Sequence, residues 1–128
     1  MCIICEGKDK FDFSDRTTII CCFKIKELPD LEECPNLQTL NCAGCTSLKE
    51  LPNLNSCINL QYLYCYDCKN LKELPNLDSC INLQCLYCWG CRMLTSIPES
   101  IQTRFYPNKL PPNSFKSTKF LLHLLCSY

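Results

Sequence analysis

The sequence predicts a short α/β-type repeat solenoid, with a parallel β-sheet on its concave side and 3₁₀ or extended returns on its convex side. Three observations carry that expectation. A 23-residue period runs through the middle of the chain almost without error. Within each unit the apolar spacing switches from two to three. No single unit has enough apolar surface to form a core alone, whereas stacked units share one.

The period is legible position by position. Leu40, Leu63 and Leu86 are in phase, as are Cys42, Cys65 and Cys88 and then Cys45, Cys68 and Cys91. Leu48, Leu71 and Leu94 follow, then Leu28, Leu51, Leu74 and Ile97, each with a proline behind it. Cys34, Cys57 and Cys80 close the unit, with Asn36, Asn59 and Asn82 two residues on. A fixed period of this kind outweighs local propensity in deciding the fold.

Each unit opens with a strand. Leu40 and Cys42 alternate with Thr39, Asn41 and Ala43, so the two sets face opposite sides. From Leu48 the apolar residues fall at every third position, Leu48, Leu51, Leu54, Cys57 and Leu60. That spacing suits a tight or extended return rather than a long helix. Proline after each leucine fixes φ and removes a donor, in keeping with such a path. Residues 18 to 29 hold a shortened copy, in which Ile19, Cys21 and Ile25 fall on Leu40, Cys42 and Leu48 once two residues are deleted. Cys21 and Cys22 are adjacent, so Cys22 is expected to be the more exposed. One partial and three full repeats therefore occupy residues 18–98, with an N-terminal cap at 1–17 and an atypical C-terminal cap or tail at 99–128.

The unit L-x-x-L-x-C-x-x-C-x-x-L-x-x-L-P-x-L resembles the leucine-rich repeat, whose signature is L-x-x-L-x-L-x-x-N/C-x-L. Its spacing to the last leucine is one residue longer, as in the cysteine-type variants of that family. More narrowly, the L-P-x-L-x-x-C-x-N-L-Q linkers look like the cysteine-rich 23-residue repeats of giant DNA viruses (mimivirus-like). Plant disease-resistance repeats share the wording Cys45-Thr-Ser-Leu-Lys-Glu-Leu-Pro52. The resemblance covers about residues 18 to 98. It implies a non-catalytic protein–protein interaction scaffold and, on the viral likeness, a setting in the host cell cytoplasm.

Bulk composition narrows the function. The 128 residues suit one domain, and 13 basic residues balance 13 acidic ones. Such balance argues against general attraction to nucleic acid or an anionic membrane. Fifteen cysteines would suit a secreted disulfide scaffold. Yet the opening Met1-Cys-Ile-Ile-Cys-Glu has no basic region, and Glu6 ends its apolar run. The apolar stretch Phe120 to Cys126 is too short to span a bilayer. The expectation is a reduced cytoplasmic protein that does not span a membrane.

The cysteines admit three readings. Cys42/Cys45, Cys65/Cys68 and Cys88/Cys91 are Cys-x-x-Cys pairs, and two in succession fall within zinc-ribbon spacing. A metal-binding structural protein is thus one alternative. The repeat register favours a second reading, an inward ladder of thiols acting as small apolar residues. Disulfides between in-register strands are disfavoured, since their Cβ atoms stay about 4.8 Å apart.

Function is expected on the variable strand positions. They are Thr39, Asn41 and Ala43, then Tyr62, Tyr64 and Tyr66, then Cys85, Tyr87 and Trp89. Tyr62, Tyr64, Tyr66, Tyr87 and Trp89 would form one aromatic, partner-binding patch on the concave face, and tyrosine and tryptophan are enriched in binding hot spots. Mutual stacking of aromatics on adjacent strands is the structural alternative. Single-stranded RNA stacking on the tyrosines is another. It needs basic residues nearby, and only Lys69 and Arg92 are close in sequence. An enzyme is not expected. The single histidine, His123, lies in an apolar run, and the glycines (Gly7, Gly44, Gly90) make no phosphate loop. The recurring Lys26-Glu27, Lys49-Glu50 and Lys72-Glu73 read as a solvated edge, and no cofactor is implied.

Overall fold

The computed structural model describes residues 17–88, 90–94 and 101. Four strands lie in it: β1 (Thr18–Ile20), β2 (Thr39–Asn41), β3 (Tyr62–Tyr64) and β4 (Cys85–Tyr87). They form one parallel sheet in the order β1-β2-β3-β4. Ile19 is paired with Leu40, Leu40 with Leu63, and Leu63 with Leu86. The shortened first copy is therefore real: β1 joins β2 at a 21-residue offset, and the later pairs at 23. Ile25 is buried like Leu48, so the two missing residues come out of the intervening turn.

The strands are short because the backbone leaves the sheet soon after each apolar pair. Pairing runs a little further through Cys42 N–H to Tyr64 O at 2.8 Å and Cys65 N–H to Tyr87 O at 2.7 Å. A turn follows, with φ of 74° at Gly44, 56° at Asp67 and 75° at Gly90. These three positions are in phase. Glycine enters the left-handed region freely; aspartate is among the few others that tolerate it.

Three-residue spacing suggests two paths for the returns, 3₁₀ or extended, and the returns show no continuous 3₁₀ run among the described residues. They are separate turns: Cys57 N–H donates to Leu54 O and Leu60 N–H to Cys57 O, at 3.0 and 3.2 Å. Cys34 and Leu37 repeat this in the preceding unit, Cys80 and Leu83 in the following one. The donors are the inward residues themselves, so one bond is closed every third residue. Helix is almost absent from the described residues. Local competition explains why: side-chain oxygens of Asp30, Asn53 and Asn76 accept from the N–H of Glu32, Asn55 and Asp78, two residues on. Such bonds offer the backbone an alternative to helical pairing, and the proline just before each removes a further donor.

Neighbouring returns are fastened by amides. Asn59 Nδ2 donates to Pro35 O at 2.9 Å, and Asn82 Nδ2 to Ile58 O at 3.2 Å. Between sheet and returns lies the core, from Ile19 through Leu94, built of leucines and cysteines with no buried charged or polar side chain among the described residues. Ile101 also packs into it. The remainder of the expected caps, and residues 95–98 of the expected repeat span, lie outside the described residues. Among those described, no helix is long and apolar enough to cross a membrane.

Candidate functional site

Residues flanking each buried leucine face away from the core and form the outer face of the sheet. Register arranges them in rows: Thr18, Thr39, Tyr62 and Cys85 in one, Ile20, Asn41, Tyr64 and Tyr87 in the next. In-register parallel strands hold equivalent side chains about 4.8 Å apart, a spacing at which flat rings lie face against face. Tyr64 and Tyr87 do so, with centroids 5.2 Å apart and planes 11° apart. Tyr62 stacks on Tyr64 along the same strand at 6.4 Å and 8°. Offset aromatic pairs of this kind are each worth about 0.5–1.5 kcal/mol beyond their buried area.

Tyr62, Tyr64, Tyr66 and Tyr87 are all half-buried. The first, second and fourth of these form one stack, and Tyr66 follows on the chain beyond β3 with its carbonyl accepting from Gly44 N–H at 2.8 Å. Trp89, the fifth residue of the expected patch, lies outside the described residues. Tyr62 reaches across the next strand, where its hydroxyl meets Gln84 Oε1 at 3.3 Å. Cys85, expected to be displayed on this face, is instead buried, with 7% exposure. Its register partner on β3 is Tyr62. Sequence reasoning also passed over Ile20, which stands 63% exposed at the edge strand.

The opposite face carries the thiols. Cys68 Sγ donates to Cys42 O at 3.1 Å, Cys91 Sγ to Cys65 O at 3.0 Å, and Cys42 Sγ to Tyr64 O at 3.4 Å. On the return side Cys57 Sγ lies 3.8 Å from Leu31 O and Cys80 Sγ 3.5 Å from Leu54 O. A buried thiol thus serves as a small apolar side chain that also satisfies a carbonyl of a neighbouring unit, the preceding one in every case but Cys42. Among the described residues, no group of three or more His, Cys, Asp or Glu side chains could hold a metal ion.

Burial pushes the Cys57 thiol from its ordinary 9.0 up to about 12, with its neighbours Cys80 and Cys34 adding to the effect. A raised folded-state value gives stability that is whole below pH 9 and is lost as pH climbs from 9.0 toward about 12. In that window the unfolded chain gives up a proton that the fold retains. Thermal melts across it should show a falling midpoint, with a shallower fall in Cys57→Ala. An equal fall in that variant would remove Cys57 as a cause.

Residues 58–102 match the family model for leucine-rich repeats, in two copies. The matched stretch contains β3 and β4 with the turns and return between them, the tyrosine-bearing half of the sheet. No curated protein matches the chain. The narrower likeness to giant-virus proteins therefore gains no support. Leucine-rich repeats are in general non-enzymatic scaffolds for protein–protein interaction.

Proposed function

We propose that this chain is a leucine-rich-repeat recognition module that binds a protein partner through Tyr62, Tyr64, Tyr66, Tyr87 and Trp89, without catalysis, in the reducing cytoplasm. The observation that carries this reading is the change on the outer face. There the residues pass from Thr39 and Asn41 on β2 to tyrosines on β3 and β4, while the buried positions stay leucine and cysteine throughout. Packing of the buried leucines and cysteines does not require that change. A run of large amphipathic rings on a repeat sheet is the surface such arrays use for partners.

Affinity capture with the wild-type chain, set beside a Tyr64→Ala/Trp89→Ala double variant, tests the reading. A protein held by the wild type and weakened by roughly 2 kcal/mol or more in the double variant is the expected outcome. Both chains must melt together, so that lost folding is not mistaken for lost binding. Capture that ignores the two substitutions would remove this face from consideration. Trp89 is the only tryptophan in the chain, so its emission gives an earlier check. A blue-shifted signal resistant to iodide in a monomer would count against an open patch.

A further inference from the structure

The residues that flank the buried centre of each strand carry no charge. They are threonine and isoleucine on β1, threonine and asparagine on β2, tyrosines on β3, and cysteine and tyrosine on β4. Rows without a cation have nothing to hold nucleic-acid phosphates, and their electrostatic complement is an uncharged surface. Size narrows the partner further. Three-residue strands cover roughly 10 Å along their axes, and four of them roughly 14 Å across. A patch on the order of 200 Å² falls well short of the roughly 800 Å² that each side of a stable globular or dimeric interface buries. The occupant that fits is narrow and linear.

Polar groups on this face are set to donate. Asn41 Oδ1 accepts the Ala43 N–H at 3.1 Å. Only the amide oxygen can make that bond, so the side chain acts outward through its nitrogen, which donates and does not accept. Gln84 Oε1 is likewise engaged, by the Tyr62 hydroxyl at 3.3 Å. A sugar brings a hydroxyl donor with every acceptor, and these rows hold no carboxylate to receive it. A proline-rich segment brings carbonyls and, at each proline, no N–H. Its polyproline II backbone makes no internal hydrogen bonds and loses little entropy on docking, and its rings pack in aromatic-lined sites. The outer face of a sheet, unlike its edge, offers no backbone groups to pair, so a strand-forming peptide gains nothing there.

We infer, on the reading that this face is the recognition surface, that its partner contributes an uncharged, proline-rich segment in the polyproline II conformation. The segment lies along the row of Ile20, Asn41, Tyr64 and Tyr87. Ile20, 63% exposed, supplies an apolar contact at the β1 end. Asn41 donates to a carbonyl of the segment. Tyr64 and Tyr87, near-parallel at 5.2 Å and 11°, are half-buried, so each keeps ring surface open to a proline. Tyr62, 6.4 Å from Tyr64 and tilted by 8°, widens the aromatic surface. At about 3.1 Å per residue, a row of roughly 14 Å takes about five residues.

The probe is a synthetic peptide of three Pro-Pro-Ala triplets, capped at both ends, titrated into the isotope-labelled full-length chain and followed by NMR. Expected are saturable shifts at Ile20, Asn41, Tyr64 and Tyr87, the Asn41 side-chain amide among them, and none at Lys49 on the charged edge. Tyr64→Ala should weaken binding roughly tenfold or more. Asn41→Asp keeps an oxygen for the Ala43 N–H but removes the donating nitrogen, and should weaken binding several-fold with the spectrum of the fold retained. Unchanged affinity in either variant would overturn the proposal. So would equal binding of an uncharged, proline-free peptide of the same length, binding of cellohexaose in place of the peptide, or no binding of the peptide at all. Affinity capture keeps the two levels apart. A protein partner that is lost with Tyr64→Ala/Trp89→Ala yet ignores an excess of the proline peptide would leave the recognition face standing and overturn the proline-rich assignment.

Discussion

Leu63→Ala should destabilise the chain by roughly 2–5 kcal/mol in equilibrium denaturant unfolding. Leu63 is fully buried at the centre of β3, with Leu40 on one side and Leu86 on the other in register. Truncation removes the transfer energy of its methyl groups and leaves a cavity that two neighbouring units border. Neither neighbour can move in without giving up its own strand pairing, so the site has little capacity to collapse. Lys49→Ala is the control, since Lys49 is exposed on the charged edge and its replacement should change stability by no more than about 0.5 kcal/mol. Equal effects at the two positions would mean that the inward and outward sets have been exchanged.

Gly90→Ala should be the second large loss, about 2–3 kcal/mol, against about 1 kcal/mol for Gly44→Ala, from the cost of a side chain in the left-handed region. Both glycines have that backbone, with φ of 75° and 74°. Their surroundings separate them. A Cβ built on Gly44 meets nothing within 4 Å, whereas one on Gly90 collides with the Asp67 carboxylate and comes to 3.2 Å from the Asp67 Cα. The carboxylate can swing aside, but the backbone of the preceding turn cannot. Chemical denaturation of the two single variants and of Gly90→Ala/Asp67→Gly would measure this. The double variant should recover part of the loss, both by opening space and by relieving the φ of 56° at Asp67. Equal costs at Gly44 and Gly90 would show that the carboxylate has no part in it.

How much of this was readable from residue order depends on which force set each feature. Burial repeats, so it is legible. Leu40, Cys42, Leu48, Leu54, Cys57 and Leu60 are all buried as their spacing requires. Even the defective copy betrays itself through Ile19, Cys21 and Ile25. Cys22 is likewise the more exposed of its adjacent pair. Leu28, in phase with the buried Leu51 and Leu74, is only half-buried, because the period cannot tell which unit has a neighbour to cover it. The return path was left between 3₁₀ and extended, because a spacing of three fits either and a chain of separate turns as well; Asp30, Asn53 and Asn76 favour the separate turns by bonding their own backbone. Cys85 keeps the outer-row position that alternation gives it but is buried there, since alternation reports which way a side chain points and not what covers it. The turn at Gly44, Asp67 and Gly90 left a signal that could have been used, two glycines in phase between paired cysteines. The tyrosine stack was legible in register, since Tyr64 and Tyr87 lie 23 residues apart on adjacent strands.

Among the described residues every strand pairing joins positions only 21 or 23 residues apart, and no strand pairs beyond its immediate neighbour in the chain. The entropy of closing a loop depends on its length only logarithmically, so each added unit meets nearly the same closure cost as the one before. Folding then behaves as growth along a line: the unfavourable event is the first docked pair, and later units extend an existing template. The arithmetic of evolution follows. An array of this kind can gain or lose a whole unit by duplication or deletion without rethreading the rest, and its outer face lengthens or shortens by one row of residues each time.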